Sequence, residues 1–342
     1  MLSSMLGALS ADLAIDMGTS HTRIFVRGRG VVCCQASAVA IHEDPAGRRR
    51  VLHVGDAALE MLGRTPPDIR VVQPIRDGVV ADYDVAEAML RHLMLQVQGR
   101  RLWVGPRAAV VIPYGTPDME RRAVTESAVS SGAREVVLVE QPLACAVGAE
   151  LPVEEARGHM IVDIGGGTTT VAVLSLGGVV HHHRLKVGGG HLDQAIAHHL
   201  REHHGLLVGA RTAEAAKLHL GAAMSGGPVE ELELRGRAVD SGWPRAVVVR
   251  SDEIADALAE PIRMIIDAVL TALEHTPPDL ASDVAEAGIV LTGGGARLLE
   301  LDRALGEATG LPVVVPEDPI CTAVVGAAAL VDAPPPVRAV AV

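Results

Sequence analysis

Two segments of the chain repeat the same order of apolar and polar positions. Residues 13–26 read LAIDMGTSHTRIFV and residues 160–173 read MIVDIGGGTTTVAV. Each is an apolar strand that ends in an aspartate, a turn of glycine and threonine, and a second apolar strand. Asp16 and Asp163 lie 163 − 16 = 147 positions apart, which is about one domain length. The repeat predicts two similar α/β domains, each opening with a β-hairpin.

The other apolar positions alternate between helical and strand-like spacing. Helical spacing occupies residues 81–98, 118–132, 142–150, 193–204, 212–221, 251–276 and 322–330, whereas strand-like runs occupy 108–113, 136–139, 229–239, 245–249, 288–291 and 313–315. This alternation favours a mostly parallel sheet in each domain. Residues 41–70 are rich in charge and turn formers, so the run Arg48-Arg49-Arg50 is interpreted as a solvated loop.

Composition and charge exclude several classes of protein. With 342 residues, 49% hydrophobic content and 1% aromatics, the chain has room for two cores built from Ala, Val, Leu and Ile. A net charge of −12 disfavours nucleic-acid partners and simple docking on anionic lipid. No apolar run approaches the roughly 20 residues that span a bilayer, and residues 1–10 lack the basic start of a signal peptide.

Cysteine usage indicates a reducing compartment. Cys33 and Cys34 are adjacent on an apparent strand, so they point to opposite faces, which suits buried thiols better than a bridge. The other two cysteines of the chain are Cys145 and Cys321. A reduced cytoplasm is therefore the predicted location.

Three glycine-rich turns follow apolar strands, at residues 16–19, 163–169 and 292–296. Glycines allow backbone N–H groups to approach and cradle phosphate oxygens, and an aspartate beside each of the first two turns offers hard oxygen ligands to Mg²⁺. One such turn is weak evidence, because structural glycine turns are common. Two in duplicated settings and a third beside them predict a nucleotide site.

Seven further stretches carry a family resemblance, which covers about residues 11–332. They are IRDGVVADYDVAEAMLRH (75–92), ERRAV (120–124), EQPLACAVGAELPV (140–153), VDIGGGTTTVAV (162–173), GGGHLDQAI (188–196), EAAKLHLG (214–221) and VLTGGGARLLELD (290–302). In these the chain resembles the actin, chaperone-ATPase and sugar-kinase superfamily, and within it the MreB/Mbl-type bacterial actin homologues. The resemblance implies an actin-like ATPase fold of two duplicated lobes with a nucleotide cleft between them.

The resemblance also implies domain boundaries and site residues. The first lobe would comprise residues 11–145 and 322–342, with a small subdomain inserted at about 36–70. The second would comprise residues 146–321, with a subdomain at about 187–244. ATP or ADP would be bound by Gly18, Thr19, Ser20, His21, Gly165, Gly166, Gly167, Thr168, Glu214, Lys217, Gly293, Gly294 and Gly295. Asp16 and Asp163 would position Mg²⁺ through water, and act in catalysis together with Gln141.

Some of these residues have a simpler interpretation or depart from the family pattern. Glu214 and Lys217, at i and i+3, would bracket the ribose and adenine, although a surface ion pair is the commoner arrangement. Gln141 stands where the family carries a glutamate that orients the attacking water, so slow turnover is expected. Ser20-His21-Thr22 replaces Ala-Asn-Thr, and His21 either approaches the phosphates or is a harmless substitution.

Histidines are dense in the second half of the chain, at residues 181–183, 198, 199, 203 and 204. The i, i+4 pair His199 and His203 has the spacing of metal ligands. Since the spacing implies no acidic or cysteine partner, the favoured interpretation is solvent-facing strand and helix surface.

Two segments are candidates for membrane contact. Met1, Leu2, Met5, Leu6 and Leu9 recur near helical spacing without a basic flank. The loop Arg100-Arg101-Leu102-Trp103 sets two apolar side chains beside two arginines, although Trp103 also suits a partly buried core position.

The resemblance implies a homopolymer filament at the inner face of the cytoplasmic membrane, which organises cell-wall synthesis and cell shape with cell-wall elongation proteins. Two alternatives stay open: an ATP-binding paralogue that does not polymerise, and a small-molecule kinase of the same superfamily.

Overall fold

The computed structural model describes residues 12–44, 47–98 and 105–331. The strands are β1 (Leu13–Met17), β2 (His21–Val26), β3 (Gly30–Ala36), β4 (Val39–Glu43), β5 (Arg49–Val54), β6 (Ile69–Val72), β7 (Ile75–Arg76), β8 (Val79–Val80), β9 (Arg107–Ile112), β10 (Glu135–Glu140), β11 (His159–Ile164), β12 (Thr169–Ser175), β13 (Gly178–Leu185), β14 (Leu206–Leu207), β15 (Glu231–Ala238), β16 (Pro244–Arg250), β17 (Ile289–Thr292) and β18 (Val313–Val314). The helices are α1 (Asp56–Leu59), α2 (Tyr83–Gln98), α3 (Asp118–Ser130), α4 (Gln141–Gly148), α5 (Gly189–His204), α6 (Ala210–Leu220), α7 (Ser251–Glu274), α8 (Pro278–Ala287), α9 (Leu301–Thr309) and α10 (Thr322–Leu330).

The chain divides into two compact units. The first runs to Arg157 and takes in residues 174–179 and the chain from Ile320 onward; the second comprises residues 158–173 and 180–319. The lobe boundary expected after residue 145 falls inside α4 (Gln141–Gly148), which belongs wholly to the first unit. The two-lobe assignment with its inserted subdomains stays a prediction.

The two units are built on sheets of the same topology. The first has the strand order β10-β9-β1-β2-β3 and the second β13-β12-β11-β17-β18. In the first, β1 pairs antiparallel with β2 and parallel with β9, and in the second β11 pairs parallel with β17. The internal repeat seen in the sequence is therefore confirmed as a repeat of strand order.

The run Arg48-Arg49-Arg50 is not entirely the solvated loop that was predicted. Arg49 and Arg50 lie on β5, which belongs to a three-stranded antiparallel sheet in the order β5-β4-β6. Both arginines are exposed, so the predicted solvation is correct and the predicted loop is wrong. Because Arg49 and Arg50 are adjacent on the strand, they point to opposite faces of the sheet. Both faces are exposed at the start of β5, which is an edge strand, so charged side chains there do not oppose strand pairing.

Each unit has its own apolar core. The core of the first packs β1, β2 and β9 against α2 and includes Ile15, Met89 and Val110. The core of the second packs β11 and β17 against α5 and α7. Aliphatic residues and methionine fill both, as the low aromatic content predicted.

The cysteines are all free thiols. Cys33 and Cys34 lie on β3, with Cys33 buried and Cys34 exposed. The prediction of opposite faces is confirmed, but the prediction that both thiols are buried is wrong for Cys34. Burial raises the pKa of Cys33 to about 11.

Helices α4 and α10 cross at a glycine contact in the first unit. A methyl group at Gly148 would overlap the carbonyl oxygen of Thr322, and one at Gly326 would overlap that of Ala144 and lie 2.6 Å from the amide nitrogen of Gly148. The obstructing atoms belong to the backbone, which cannot rotate away as a side chain can. Glycine at both positions is therefore a requirement of this helix crossing.

We expect Gly326→Ala to lower the free energy of unfolding of the first unit. Overpacking costs about 1–3 kcal/mol, which outweighs the gain of up to about 1 kcal/mol from alanine's helix propensity. Thermal unfolding followed by circular dichroism measures the shift. Gly306→Ala is a matched control, because Gly306 is also helical but a methyl group there would approach nothing closer than 3.4 Å. An unfolding midpoint for Gly326→Ala equal to that of the control would contradict the prediction.

Candidate functional site

In the first unit, four predicted site residues lie in or directly after the turn between β1 and β2: Gly18, Thr19, Ser20 and His21. The amide of Gly18 donates to the carbonyl oxygen of His21 at 3.0 Å, and a Cβ at Gly18 would lie 2.9 Å from that oxygen. Glycine is thus needed at the first position of the turn. His21 contributes its main chain to turn closure, and the hydroxyl of Ser37 donates to Gly18 O at 2.6 Å.

A second turn, at Asp77 and Gly78, is hydrogen-bonded to this one. The amide of Gly78 donates to the Thr19 hydroxyl at 2.9 Å, which leaves the hydroxyl proton of Thr19 able to point elsewhere. Asp77 and Gly78 both have positive φ, at 49° and 71°, and join the short strands β7 and β8. The stretch at residues 75–83 is therefore part of the scaffold of the turn.

Asp16 is the penultimate residue of β1 and pairs across the hairpin with Arg23. Its carboxylate lies 3.7 Å from the Arg23 guanidinium. Burial raises the pKa of Asp16 above its ordinary value, and Arg23 lowers it in part. Burial makes the charged form of this carboxylate unfavourable, and a cation bound beside it would stabilise that charged form.

In the second unit, residues Gly165–Thr168 form the turn between β11 and β12. The amide of Gly165 donates to Thr168 O at 2.8 Å, the counterpart of the Gly18–His21 bond in the first unit. Thr168 is buried. The two hairpin turns are thus closed by the same kind of backbone bond.

A glycine segment at the start of α5 packs directly on this turn. Amides of Gly189 and Gly190 donate to the carbonyls of Gly165 and Gly166, at 2.9 and 2.8 Å. A Cβ at Gly188 would lie 2.5 Å from Gly165 O and 2.8 Å from Thr168 N. The carbonyls of Gly165 and Gly166 are therefore occupied, and the Gly165 amide is used inside the turn. The following amides, of Gly166, Gly167 and Thr168, are the candidates for contact with a ligand.

The third glycine segment lies against the end of β11. A Cβ at Gly293 would come 2.5 Å from Asp163 Oδ1, and one at Gly295 would overlap the Ile164 side chain. Nothing lies within 4 Å of a Cβ built on Gly294. Packing against β11 thus accounts for Gly293 and Gly295, whereas Gly294 faces open space.

Asp163 is the buried carboxylate of this arrangement. It is the penultimate residue of β11 and lies opposite Thr292 of β17, and the Thr292 hydroxyl donates to its Oδ1 at 3.3 Å. Only 8% of Asp163 is exposed. A carboxylate this deep at the mouth of a glycine-rich turn suits a role toward a cation or an ordered water.

Lys217 has a partner that the sequence did not indicate. Its ammonium lies 2.7 Å from Asp193 Oδ1 on α5 and donates to Gly189 O at 3.0 Å. Burial raises the pKa of the Asp193 carboxyl above its ordinary value, and the Lys217 ammonium offsets part of this rise. Lys217 therefore ties α6 to the glycine-rich start of α5, so the simple surface pair between Glu214 and Lys217 is not the arrangement found.

Gln141 is the first residue of α4 and directly follows β10. Its neighbour Glu140 accepts a hydrogen bond from Arg121 at 2.7 Å. The carboxylate of Glu140 is thus engaged within the first unit. Arg121 belongs to the ERRAV stretch at residues 120–124. Nothing in the sequence indicated that it pairs with Glu140, and this contact is seen only in the structure.

The site residues fall into one set per unit. The first unit holds Asp16, Gly18, Thr19, Ser20, His21 and Gln141; the second holds Asp163, Gly165, Gly166, Gly167, Thr168, Glu214, Lys217, Gly293, Gly294 and Gly295. Sequence reasoning missed the supporting residues Ser37, Gly78 and Asp193. Gly78 and Asp193 lie within stretches that resemble the family, and this resemblance could have identified them. Nothing in the sequence pointed to Ser37.

Both segments proposed for membrane contact, Met1–Leu9 and Arg100–Trp103, lie outside the described residues. Among the helices that the structure does describe, none has the length and apolar character needed to cross a bilayer.

Comparison with known proteins places these features in a family. The sequence model of the family described as MreB/Mbl protein matches residues 10–336. The cell shape-determining protein MreB of Escherichia coli K12 is 50% identical over 333 residues, which cover 96% of each chain. Crystal structures of MreB5 of Spiroplasma citri, bound to AMPPNP and to ADP, superpose with a TM-score of 0.87 at 32% identity, covering 93% of this chain and 94% of theirs.

Proposed function

The chain belongs to the MreB/Mbl family, and from this membership we propose that it is an ATP-dependent, actin-like filament protein that determines cell shape. The observation that carries the proposal is the 50% identity, over 96% of both chains, to an Escherichia coli protein named as cell shape-determining. Similarity of this extent spans both units and all three glycine-rich segments, so it is not confined to a nucleotide-binding motif.

The nucleotide is proposed to be ATP or ADP, bound through the glycine-rich turns of both units. Support comes from the turn geometry, because the carbonyls of Gly165 and Gly166 accept from α5 and the amides of Gly166, Gly167 and Thr168 are proposed to donate to phosphate oxygens. The Spiroplasma citri relative is described with AMPPNP and with ADP. Gly294, whose surroundings are open, is proposed to lie against the adenine, and Glu214 with Lys217 to flank the ribose.

Asp16 and Asp163 are proposed to hold Mg²⁺ through its bound waters. Their chemistry fits the ion, because Mg²⁺ prefers carboxylate oxygens and keeps most of its own water. The pKa of Asp16 is raised by burial, so a divalent cation would relieve the cost of its charge. The ion would neutralise phosphate charge during hydrolysis.

Gln141 is proposed to orient the attacking water. Glutamine cannot take up a proton as glutamate can, but it donates and accepts hydrogen bonds. Phosphoryl transfer depends mainly on positioning and on charge neutralisation. We therefore expect ATP hydrolysis to be slow and to accelerate in the filament.

Self-association into a homopolymer at the inner face of the cytoplasmic membrane completes the proposal. Burial of Leu102 and Trp103 would contribute about 1.5–3 kcal/mol each, too little to hold a monomer firmly. A filament repeats the contact many times, so avidity makes attachment strong. Cell-wall elongation proteins are the proposed partners there, and the net charge of −12 argues against nucleic acid.

The test is electron microscopy of the purified chain on lipid monolayers, with ATP-Mg and with ADP-Mg. We expect filaments that require ATP and lipid. The Trp103→Ser variant should polymerise in solution like the parent but bind liposomes more weakly. Equal liposome binding by the two would count against this loop. Confirmed ATP binding without filaments under any condition would overturn the filament proposal in favour of a non-polymerising paralogue or a kinase.

A further inference from the structure

Three metal-binding side chains converge where α5 ends and α7 begins. His199 and His204 come from α5 and Glu253 from the first turn of α7. One ligand atom from each lies within 4.8 Å of the others, and all three residues are half-buried. Among the described residues, this is the group that brings three such donors together. The sequence spacing had suggested histidines without an acidic partner, but the fold supplies one from α7.

The electrostatic bias towards a cation here comes from the end of α5 and from carboxylates, because the N-terminus of α7 carries the opposite, positive dipole end. The C-terminus of α5 carries the negative end of its helix dipole, which favours a positive charge. Glu253 and Asp256 on α7 add negative charge beside His199. His204 Nε2 and Glu253 Oε2 are already 3.0 Å apart. A simple histidine–glutamate pair explains that contact, and the His199 ring packs on that of His203, with ring centroids 4.3 Å apart. Neither contact requires a ligand atom of His199 within 4.8 Å of both His204 and Glu253, which is the arrangement found.

We propose that His199, His204 and Glu253 bind one Zn²⁺ ion, with a water in the fourth position. Two imidazole nitrogens and one carboxylate oxygen are a donor set that zinc takes with an open coordination site. Ligand atoms around a tetrahedral zinc lie about 3.3 Å apart. The His204–Glu253 pair, at 3.0 Å, is already close to this distance. The ligand atoms lie within 4.8 Å of one another, so zinc binding requires the His199 side chain to turn from the His203 ring towards the pair. The ion links the end of α5 to the start of α7.

This metal site is separate from the nucleotide turns. α5 begins at Gly189 on the Gly165–Thr168 turn and reaches His204 after roughly 22 Å of helix. Zinc binding therefore neither requires nucleotide nor competes with Mg²⁺. This independence allows the zinc site to be tested whether or not the proposed nucleotide chemistry is correct.

The experiment is a calorimetric titration of Zn²⁺ into the full chain, freed of any histidine tag, stripped with EDTA and without nucleotide. The parent is compared with His204→Ala and Glu253→Gln. His198→Ala serves as the control, because His198 is an exposed neighbour on the same helix and outside the cluster. We expect one zinc site in the parent and the control, and at least about a tenfold loss of affinity in each of the other two.

Binding of Co²⁺ as a spectroscopic probe identifies the ligands. Absorption bands without a thiolate charge-transfer component would support the histidine–carboxylate site, whereas a strong thiolate band would assign the metal to a cysteine and overturn the proposal. Equal zinc affinity in parent, His204→Ala and Glu253→Gln would also overturn it, as would the absence of stoichiometric binding in the parent. Unchanged circular dichroism and ADP affinity in the variants exclude unfolding as the cause of lost binding.

Discussion

The Gly188→Ala variant is expected to bind ATP and ADP roughly five- to 150-fold more weakly than the parent. A methyl group at this position would lie 2.5 Å from Gly165 O and 2.8 Å from Thr168 N, so either the turn or the start of α5 must move. Both neighbours are backbone atoms, and the strain of about 1–3 kcal/mol falls on the turn proposed to hold the phosphates. Calorimetric titration with the Mg²⁺ complex of each nucleotide measures the loss.

Gly227→Ala is the matched control, since it lies in the same unit and nothing surrounds its Cβ position within 4 Å. Its nucleotide affinity should equal that of the parent. Parent-like affinity in Gly188→Ala would mean that the Gly165–Thr168 turn does not contribute to binding.

The second large effect is expected at Gln141. Gln141→Ala should lower the rate of ATP turnover by roughly 100-fold, because a misplaced water loses its alignment with the phosphate. The affinity for ADP should change little, since the phosphate turns are untouched. Phosphate release under single-turnover conditions, with nucleotide affinity measured in parallel, separates these two effects.

Two neighbouring substitutions sharpen this test. Gln141→Glu restores a carboxylate of nearly the same shape and should retain or raise turnover. Glu140→Gln removes a charge that accepts from Arg121 at 2.7 Å, so it should affect stability more than chemistry. Loss of turnover in Glu140→Gln together with parent-like turnover in Gln141→Ala would transfer the water-orienting role to Glu140.

The elements with a strong repeating pattern could be predicted from the sequence. The helix over Thr322–Leu330 and the hairpin from Leu13 to Val26 were predicted at the positions where they occur. Asp82 directly precedes α2 and accepts from the amide of Val85 at 3.2 Å, which is the N-cap role that aspartate prefers. In these segments, local propensity and burial favour the same structure.

Contacts between distant segments could not be predicted in this way. Helix spacing places Glu214 beside Lys217, but the lysine pairs with Asp193 on a different helix. Similarly, Glu253 joins His199 only because α5 and α7 pack together. Sequence periodicity describes which residues share one face of one element, and it contains no information about which face of another element lies opposite.

The same limit applies to the glycines. The glycines at residues 293–295 indicated a nucleotide site, and those at 188–190 belonged to a stretch that resembles the family. The structure separates two reasons for their presence. Gly188 and Gly295 make room for neighbouring backbone and side chain, whereas Gly294 is open. Only the open position needs a ligand to explain it.

The glycine crossing of α4 and α10 has a consequence for how the chain is synthesised. The ribosome synthesises α4 before the second unit, but its partner α10 follows only after the whole of the second unit. At roughly 5–20 residues per second, the apolar surface that α10 buries would stay exposed to solvent for on the order of 10–30 s during translation. The second unit is therefore in a position to fold first during translation. The first unit becomes complete only when α10 emerges, and until then its exposed surface is a natural substrate for chaperones.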